Sequence, residues 1–214
     1  MCFYVYTHYL KPIFSDNIFM NKQKTSKNSA KGNIRIISGK YRGRKLPVLM
    51  SDGLRPTTDR VKETVFNWLM PYIQNSICLD CFAGSGGLGF EALSRGTQSV
   101  TLIELNKAAA QQLEKNKSLL QAKELTIENA NTLNYLEGCS QKFDVVFIDP
   151  PFRKGLIEQT INLLNNNLLA ADALIYIEME SEEAIQSIPE NWQILKEKKA
   201  GQVAYRLYQF TQIM

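Results

Sequence analysis

A carboxylate, two prolines and an aromatic ring follow directly on an apolar segment in VVFIDPPF, residues 145–152. The apolar part is typical of a buried strand that ends at Asp149. An exocyclic amine on a planar base is a poor nucleophile, because its lone pair is delocalised into the ring. Two acceptors, one for each N–H, would favour a pyramidal nitrogen, and Asp149 Oδ and the Pro150 carbonyl can supply them. Phe152 can stack on the base, and the prolines stiffen the turn.

A glycine-rich stretch, LDCFAGSGGLGFEAL, occupies residues 79–93 at the end of another predicted strand. Glycines let the backbone approach a ligand closely, and the following helix offers free N–H groups. The pattern G-x-G-x-x-G from Gly84 to Gly89 fits NAD, FAD and S-adenosylmethionine sites alike. Glu104 ends the next predicted strand and can accept hydrogen bonds from both hydroxyls of a ribose. These features predict a nucleoside-containing cofactor without choosing between a dinucleotide and adenosylmethionine.

The Asp-Pro-Pro-Phe motif does choose between these cofactors. A dinucleotide-dependent dehydrogenase has no use for two amine acceptors and a stacking ring at the end of its fourth strand, whereas an enzyme that methylates an exocyclic amine does. Such catalysis is mostly positioning and alignment, and the cationic methylated amine is acidic enough for water or Asp149 to remove its proton. The only histidine is His8, so we expect neither a histidine base nor a histidine-bound metal.

Basic residues are concentrated near the start of the chain. The net charge is +4, but residues 20–62 hold twelve Lys and Arg against two acids, so this part carries +10 and the remainder −6. Within it, IRIISGKYRGRKL alternates apolar and basic residues and turns at Ser38-Gly39-Lys40. This pattern predicts a basic β-hairpin whose second strand resumes at Tyr41, a plausible surface for RNA backbone and bases. The asymmetry indicates a polyanion-binding arm on a mildly acidic domain.

Strands alternate with helices after the hairpin, which predicts a doubly wound, mostly parallel, seven-stranded α/β sheet covered on both faces. The first helix is expected to begin at Thr58 or Asp59 and to end at Pro71. The last two strands can form a hairpin around Ala200-Gly201, which would place one antiparallel strand in the sheet. The predicted strands are Ile77–Phe82, Ser99–Glu104, Leu125–Glu128, Phe143–Ile148, Ala173–Glu178, Gln193–Lys199 and Val203–Phe210.

Several classes of protein are excluded by what the sequence lacks. No apolar run approaches 18 residues, so no membrane span is expected. The first twenty residues lack a basic region before their apolar part and a small-residue cleavage site, so we expect a reduced, cytoplasmic chain without a secretory signal. Cys78 and Cys81 form a C-x-x-C pattern, but residues three apart in a strand point to opposite faces. A shared metal or a disulfide is therefore not expected.

Four segments together are similar to the RsmD family of bacterial 16S rRNA guanine-N2 methyltransferases: IRIISGKYRGRKL, LRPTTDRVKETVFNWL, CLDCFAGSGGLGFEALSRG and DVVFIDPPFRKG. The resemblance covers about residues 33–210. It implies a class I methyltransferase fold, S-adenosyl-L-methionine as cofactor and a loop guanine of 16S rRNA near the decoding region as substrate, within the assembled or assembling small subunit. The chain then divides into a disordered leader (1–32), a basic RNA-docking hairpin and helix (33–75) and a methyltransferase domain (76–214).

The resemblance also implies roles for individual residues. Separately, we expect no metal, and we assume a monomeric protein because the sequence indicates no oligomeric interface. Asp80, Gly84 and Gly86 would hold the methionine end of the cofactor, and Glu104 its ribose. Asn131 would lie by the adenine ring with Thr132 beside it, and Phe82 would also contact the cofactor. Asp149, Pro150 and Phe152 would be the amine site. The residues expected to contact RNA are Arg35, Lys40, Tyr41, Arg42, Arg44, Arg55, Thr58 and Arg60.

Three alternatives remain open on the sequence. The Asp-Pro-Pro-Phe motif can bind any exocyclic amine, so the nearest alternative function is an N6-adenine methyltransferase of DNA or RNA. A non-catalytic RNA-binding assembly module that keeps the fold is the second. A dinucleotide oxidoreductase is a distant third.

Overall fold

The computed structural model describes residues 31–49, 58–182, 185 and 187–212, and so leaves most of the predicted leader and Arg55 outside the described residues. A hairpin comes first, followed by alternating strands and helices. In chain order the elements are β1 (Lys31–Arg35), β2 (Lys45–Leu49), α1 (Asp59–Leu69), β3 (Ile77–Asp80), α2 (Gly87–Ser94), β4 (Ser99–Ile103), α3 (Lys107–Leu120), β5 (Leu125–Glu128), α4 (Thr132–Gly138), β6 (Phe143–Ile148), α5 (Leu156–Asn165), β7 (Leu169–Glu180), β8 (Trp192–Ala200) and β9 (Val203–Phe210).

The main sheet has seven strands in the order β5-β4-β3-β6-β7-β9-β8. Strands β3 to β7 pair in parallel, and β9 is antiparallel to both β7 and β8. The predicted doubly wound, mostly parallel sheet with one antiparallel strand is confirmed. From β3 the chain adds β4 and then β5 towards one edge of the sheet. It then crosses back to β6, which lies on the opposite flank of β3, so the strand order reverses between β3 and β6. In open sheets of this kind, ligands bind at the carboxyl ends of the strands beside such a reversal.

Two apolar clusters cover the two faces of the sheet. The first contains side chains of the hairpin, α1, α2 and α3, and the second contains those of α4 and α5. Cys78 lies in the first cluster and Cys81 in the second, which confirms that the two thiols point to opposite faces. Both are free, and burial raises the pKa of the Cys78 thiol to about 12. They serve as small core residues.

Strand β7 begins earlier than the sequence pattern predicts. It starts at Leu169, which pairs with Phe143, rather than at Ala173. The register shifts within this pair of strands, and Asp172 has a φ of 58°, a value that few non-glycine residues adopt. Asp172 interrupts the apolar pattern at this irregularity, which is why the pattern predicts too late a start.

The hairpin is present, but its second strand starts later than predicted. Strand β2 begins at Lys45, and Tyr41 lies in the turn rather than in the strand. The turn is closed by hydrogen bonds from Gly43 N to Ile36 O (2.8 Å) and from Arg44 N to Tyr41 O (3.1 Å). Gly39 and Gly43 have positive φ angles of 80° and 83°. The glycines therefore favour a longer, tightly curled turn over a resumed strand.

A buried carboxylate on α2 holds the hairpin against the main sheet. Glu91 accepts hydrogen bonds from the backbone N–H of Ile37 (2.9 Å) and Ser38 (3.1 Å), and it pairs with Arg95 (2.9 Å). The next residue of the turn, Gly39, lies so close to the end of α2 that an added Cβ would stand 1.8 Å from the Ser94 carbonyl oxygen. The hairpin is thus packed onto α2 and is not a detached arm.

Replacement of Glu91 by Gln should destabilise the protein by about 2–4 kcal/mol, because it leaves buried amides and the Arg95 guanidinium without a full set of acceptors. Urea denaturation of the wild type and the variant measures the difference. Glu114→Gln is the matched control, since the Glu114 carboxylate is half exposed and its distance to Lys117 is 3.9 Å. Equal unfolding free energies for the two variants would show that Glu91 does not hold the hairpin in place.

Candidate active site

The ends of neighbouring strands bring the two central carboxylates of the predicted site together. Asp80 is the last residue of β3 and pairs with Phe147 of β6, and Asp149 follows two residues after Phe147. Because alternate residues of a strand share a face, both carboxylates lie on the α1 side of the sheet. They therefore flank the point where the strand order reverses.

Asp80 is buried at the mouth of the glycine loop. Its Oδ2 accepts a hydrogen bond from Gly89 N of α2 (3.2 Å), while its Oδ1 is buried without a hydrogen-bond partner among the described residues. Burial raises the pKa of Asp80 to about 7; the backbone amides of Gly89 and Phe82 oppose the rise only in part, and the charge of Glu104 adds to it. A Cβ added at Gly89 would stand 2.1 Å from Leu102 Cδ2, so a glycine is needed for α2 to approach the sheet.

Glu104 organises the other side of the loop, one residue beyond the end of β4. Its Oε2 accepts a hydrogen bond from Gly84 N (2.8 Å) and its Oε1 accepts one from Asn106 N (2.6 Å). The carboxylate therefore fixes both the glycine loop and the start of α3. A carboxylate has about four acceptor positions, so two remain for the hydroxyls of a ribose.

Asn131 and Thr132 begin α4 and tie it to the end of β3. The Asn131 Oδ1 accepts hydrogen bonds from the N–H groups of Leu133 (2.9 Å) and Asn134 (3.3 Å), which makes Asn131 the N-cap. The Thr132 hydroxyl donates to Cys81 O (2.5 Å). The structure thus gives both residues a local structural role at the edge of the site, and their contact with an adenine ring stays a prediction.

Asp149 is partly buried between two other acids. Burial is the main reason why its pKa lies well above the usual range, and the charges of Glu178 and Asp80 raise the pKa further. A carboxylate in this position is a stronger base than an exposed one. The two prolines follow it, and the Phe152 ring is 39% exposed, so it is available for stacking. Beyond it, Arg153 forms a two-pronged ion pair with Glu180 at the end of β7 (3.0 Å for each hydrogen bond).

Two further residues of the site were not predicted. Glu178 of β7 lies next to Asp149, one position past the paired residues Ile148 and Ile177. The Tyr176 hydroxyl donates a hydrogen bond to Glu178 Oε2 (2.9 Å). A signal for Glu178 was present in the sequence, because an acid ends the fifth predicted strand just as Asp149 follows the fourth.

The described residues that are predicted to contact RNA lie in the hairpin and at the start of α1. Helix α2 starts at the glycine loop, and the hairpin turn binds at its other end, where Lys40 N donates to Ser94 O (2.7 Å). An eight-residue helix is about 12 Å long, so Lys40, Tyr41, Arg42 and Arg44 lie well away from the loop. Thr58 caps α1 and Arg60 is exposed in its first turn.

Two of these basic side chains also have partners within the protein. The Arg35 guanidinium pairs with Asp59 (2.8 Å), and Arg44 Nη2 donates to Leu119 O of α3 (3.3 Å). Arg44 is therefore partly structural. Their contacts with RNA stay predictions.

In the part of the chain that the structure describes, no group of three or more His, Cys, Asp or Glu side chains is arranged to hold a metal ion. No helix within that part combines the length and the apolar character that crossing a membrane requires.

The strand order, the glycine loop and the acid after β4 define an enzyme with the class I methyltransferase fold. The solved structure of yhhF from Escherichia coli superposes on this chain with a TM-score of 0.79 at 53% identity, covering 85% of this chain and 100% of that one. A solved structure from Haemophilus influenzae gives 0.73 at 52% identity, with the same coverage.

The chain belongs to the RsmD family, whose model bears the description Conserved hypothetical protein 95 and matches residues 34–209. Ribosomal RNA small subunit methyltransferase D of Escherichia coli strain K12 is 56% identical over 187 residues, which are 87% of this chain and 94% of that protein. The protein of the same name from Haemophilus influenzae is 55% identical over 192 residues, 87% of this chain and 99% of that one. The resemblance seen in the four segments is confirmed, and the chain is a methyltransferase.

Asp80 should make the stability of the protein depend on pH. Its pKa rises from an ordinary 3.8 to about 7 in the folded protein, so the folded state holds the proton more tightly than the unfolded state does. This contribution to stability is present below about pH 4 and is lost as the pH rises towards 7, by about 4 kcal/mol at most. Asp80→Asn cannot ionise and should remove that loss, which urea denaturation across this pH range measures.

Asp172→Asn is the matched control for this measurement. Asp172 is exposed, and its φ of 58° is one that asparagine also tolerates. The control should keep the pH dependence of the wild type. An Asp80→Asn variant that also kept it would show that Asp80 is not the origin of the effect.

Proposed function

We propose that the protein transfers the methyl group of S-adenosylmethionine to the exocyclic N2 amine of a guanine in 16S rRNA of the small ribosomal subunit. The observation that carries this proposal is the position of Asp149, which lies beside Asp80 and the glycine loop at the reversal of strand order. The names of the Escherichia coli and Haemophilus influenzae relatives, ribosomal RNA small subunit methyltransferase D, support the choice of RNA.

The residues around the glycine loop fit this cofactor. S-adenosylmethionine supplies an electrophilic methyl group on a sulfonium, together with an ammonium, a carboxylate and an adenosine. Asp80 offers a buried oxygen without a partner in the described part of the chain, which suits a cationic group. The Glu104 carboxylate is held by two backbone amides and can accept from a ribose. A cation beside Asp80 would also lower the raised pKa of that carboxyl.

Asp149 and the Pro150 carbonyl would each accept one N–H of the guanine amine. Their pull on the two protons favours a pyramidal nitrogen, whose lone pair then points towards the methyl group. The N–C bond forms as the S–C bond breaks, and the amine loses one proton. The neighbouring acids that raise the pKa of Asp149 make it a suitable acceptor for that proton. Phe152 would hold the base by stacking.

Purified protein, radiolabelled S-adenosylmethionine and small subunits from a strain that lacks the activity test the function. The RNA is digested to nucleosides after the reaction. Label in N2-methylguanosine is the expected result. Label in N6-methyladenosine would keep the amine chemistry but overturn the substrate, and cofactor binding without any label would favour a non-catalytic RNA-binding module. We also propose that the protein acts as a cytoplasmic monomer without a metal; sedimentation and chelator treatment of the same preparation test this.

Asp149→Asn should lower kcat by about 10²–10³-fold, because it weakens one of the two acceptors that align the amine and removes a base. Cofactor binding, measured by calorimetry, should change little. Asp172→Asn carries the same substitution at an exposed position and should retain wild-type activity. Full activity of Asp149→Asn would remove Asp149 from the amine site.

Arg42→Glu should weaken RNA binding and reduce the slope of log affinity against log salt by about one unit, if Arg42 contacts one phosphate. Arg42 is exposed in the hairpin turn. Lys142→Glu is the control, because Lys142 is an equally exposed cation outside the hairpin. Binding measured at several salt concentrations distinguishes the two. Identical slopes for both variants and the wild type would exclude the turn from the RNA interface.

A further inference from the structure

Glu178 occupies a position that the proposed chemistry has not used. Strands β6 and β7 are parallel, and Ile148 pairs with Ile177, so Asp149 and Glu178 are adjacent at the next position of the two strands. Adjacent strands lie about 4.8 Å apart. The electrostatic effect of Glu178 on the pKa of Asp149 agrees with this proximity. Two carboxylates therefore stand side by side where a base is expected.

The Glu178 carboxylate is oriented by a neighbour on its own strand. The Tyr176 hydroxyl donates a hydrogen bond to Glu178 Oε2 (2.9 Å). Tyr176 is buried, and burial raises the pKa of its hydroxyl well above the usual range, so it stays a donor. A carboxylate has about four acceptor positions and can accept several hydrogen bonds at once. Glu178 is thus a fixed acceptor beside the amine site.

A hydrogen-bond acceptor that faces the ring nitrogen N1, in addition to the acceptors of the amine, distinguishes guanine from the other bases. In guanine, the exocyclic amine lies between two ring nitrogens, of which N3 accepts and N1 carries a hydrogen and donates. In adenine and cytosine, the ring nitrogen next to the amine carries a lone pair and accepts. A carboxylate facing that position attracts guanine and repels the other two, and such unpaired or repelled polar groups give strong discrimination.

We propose that Glu178 accepts a hydrogen bond from guanine N1–H while Asp149 accepts one from the N2 amine, so that Glu178 selects guanine over adenine. This inference rests on the proposed function and assigns the base preference to a residue outside the Asp-Pro-Pro-Phe motif. The Asp-Pro-Pro-Phe motif binds the amine, and the acid at the end of β7 reads the adjacent ring nitrogen.

The test uses small subunits reconstituted with either guanine or 2-aminopurine at the nucleotide that the wild-type protein methylates. 2-Aminopurine keeps the 2-amine, but its N1 carries a lone pair. The wild type should prefer guanine by about 10³-fold or more in kcat/KM. Glu178→Gln can present either an oxygen or an N–H to N1, so its kcat/KM for guanine should fall by about 10²-fold and its preference for guanine to about tenfold or less.

Glu197→Gln is the matched control, because Glu197 is an exposed strand carboxylate of the same sheet that pairs with Arg206 (2.8 Å). It should keep the wild-type preference. The proposal is overturned if Glu178→Gln loses activity on both bases in parallel, as a purely structural defect would cause, or keeps the wild-type preference. The wild-type measurement needs no variant: equal rates on guanine and 2-aminopurine would also overturn it.

Failure of the proposed function gives a different result. In that case the wild type makes no N2-methylguanosine on unmodified subunits, and the base assignment to Glu178 falls with it. N2-methylguanosine together with an unchanged base preference in Glu178→Gln would refute the role of Glu178 alone.

Discussion

The parallel pairing of β3, β6 and β7 is the constraint on which the site depends. Parallel strands all end at the same edge of a sheet, and the register of these three places Asp80, Asp149 and Glu178 on one face within a few residues of that edge. Burial is the main reason why the pKa values of Asp80 and Asp149 are raised, and the charges of Glu178 and Asp80 raise the pKa of Asp149 further. Ionisation of these acids therefore lowers the stability of the folded protein, and donors or cations in the pocket would offset that loss.

The acidic residues of the pocket and the basic residues near the start of the chain belong to different parts of the sequence. The pocket is acidic, whereas residues 20–62 carry the positive excess of the chain. An acidic pocket suits a cationic cofactor and a base that donates hydrogen bonds, and basic residues outside the pocket suit a polyanion. Such a separation would allow the proposed cofactor and the RNA backbone to bind at different surfaces of the protein.

The sequence was sufficient for the architecture and for the residues that end strands. The alternation of strands and helices predicted the sheet, and the acids at Glu104 and Asp149 were recognised because each directly follows an apolar run. The hairpin turn was predicted less well, since a basic, alternating pattern around Tyr41 cannot reveal a curl closed by Gly43 and Ile36. The contact of Glu91 with Ile37 and Ser38 joins segments more than fifty residues apart, and no local pattern reports it.

The rigid attachment of the hairpin has a consequence for the shape of the substrate. Glu91 fixes the turn at the far end of α2, about 12 Å along the helix axis from the glycine loop. An RNA that meets both the turn and Asp149 must therefore present two surfaces at a fixed separation. A short flexible strand has to give up conformational freedom to do so, whereas a folded ribonucleoprotein particle already holds its surfaces in place. If the turn and Asp149 both contact the substrate, as we propose, the fixed position of the turn would favour a folded particle over a flexible strand.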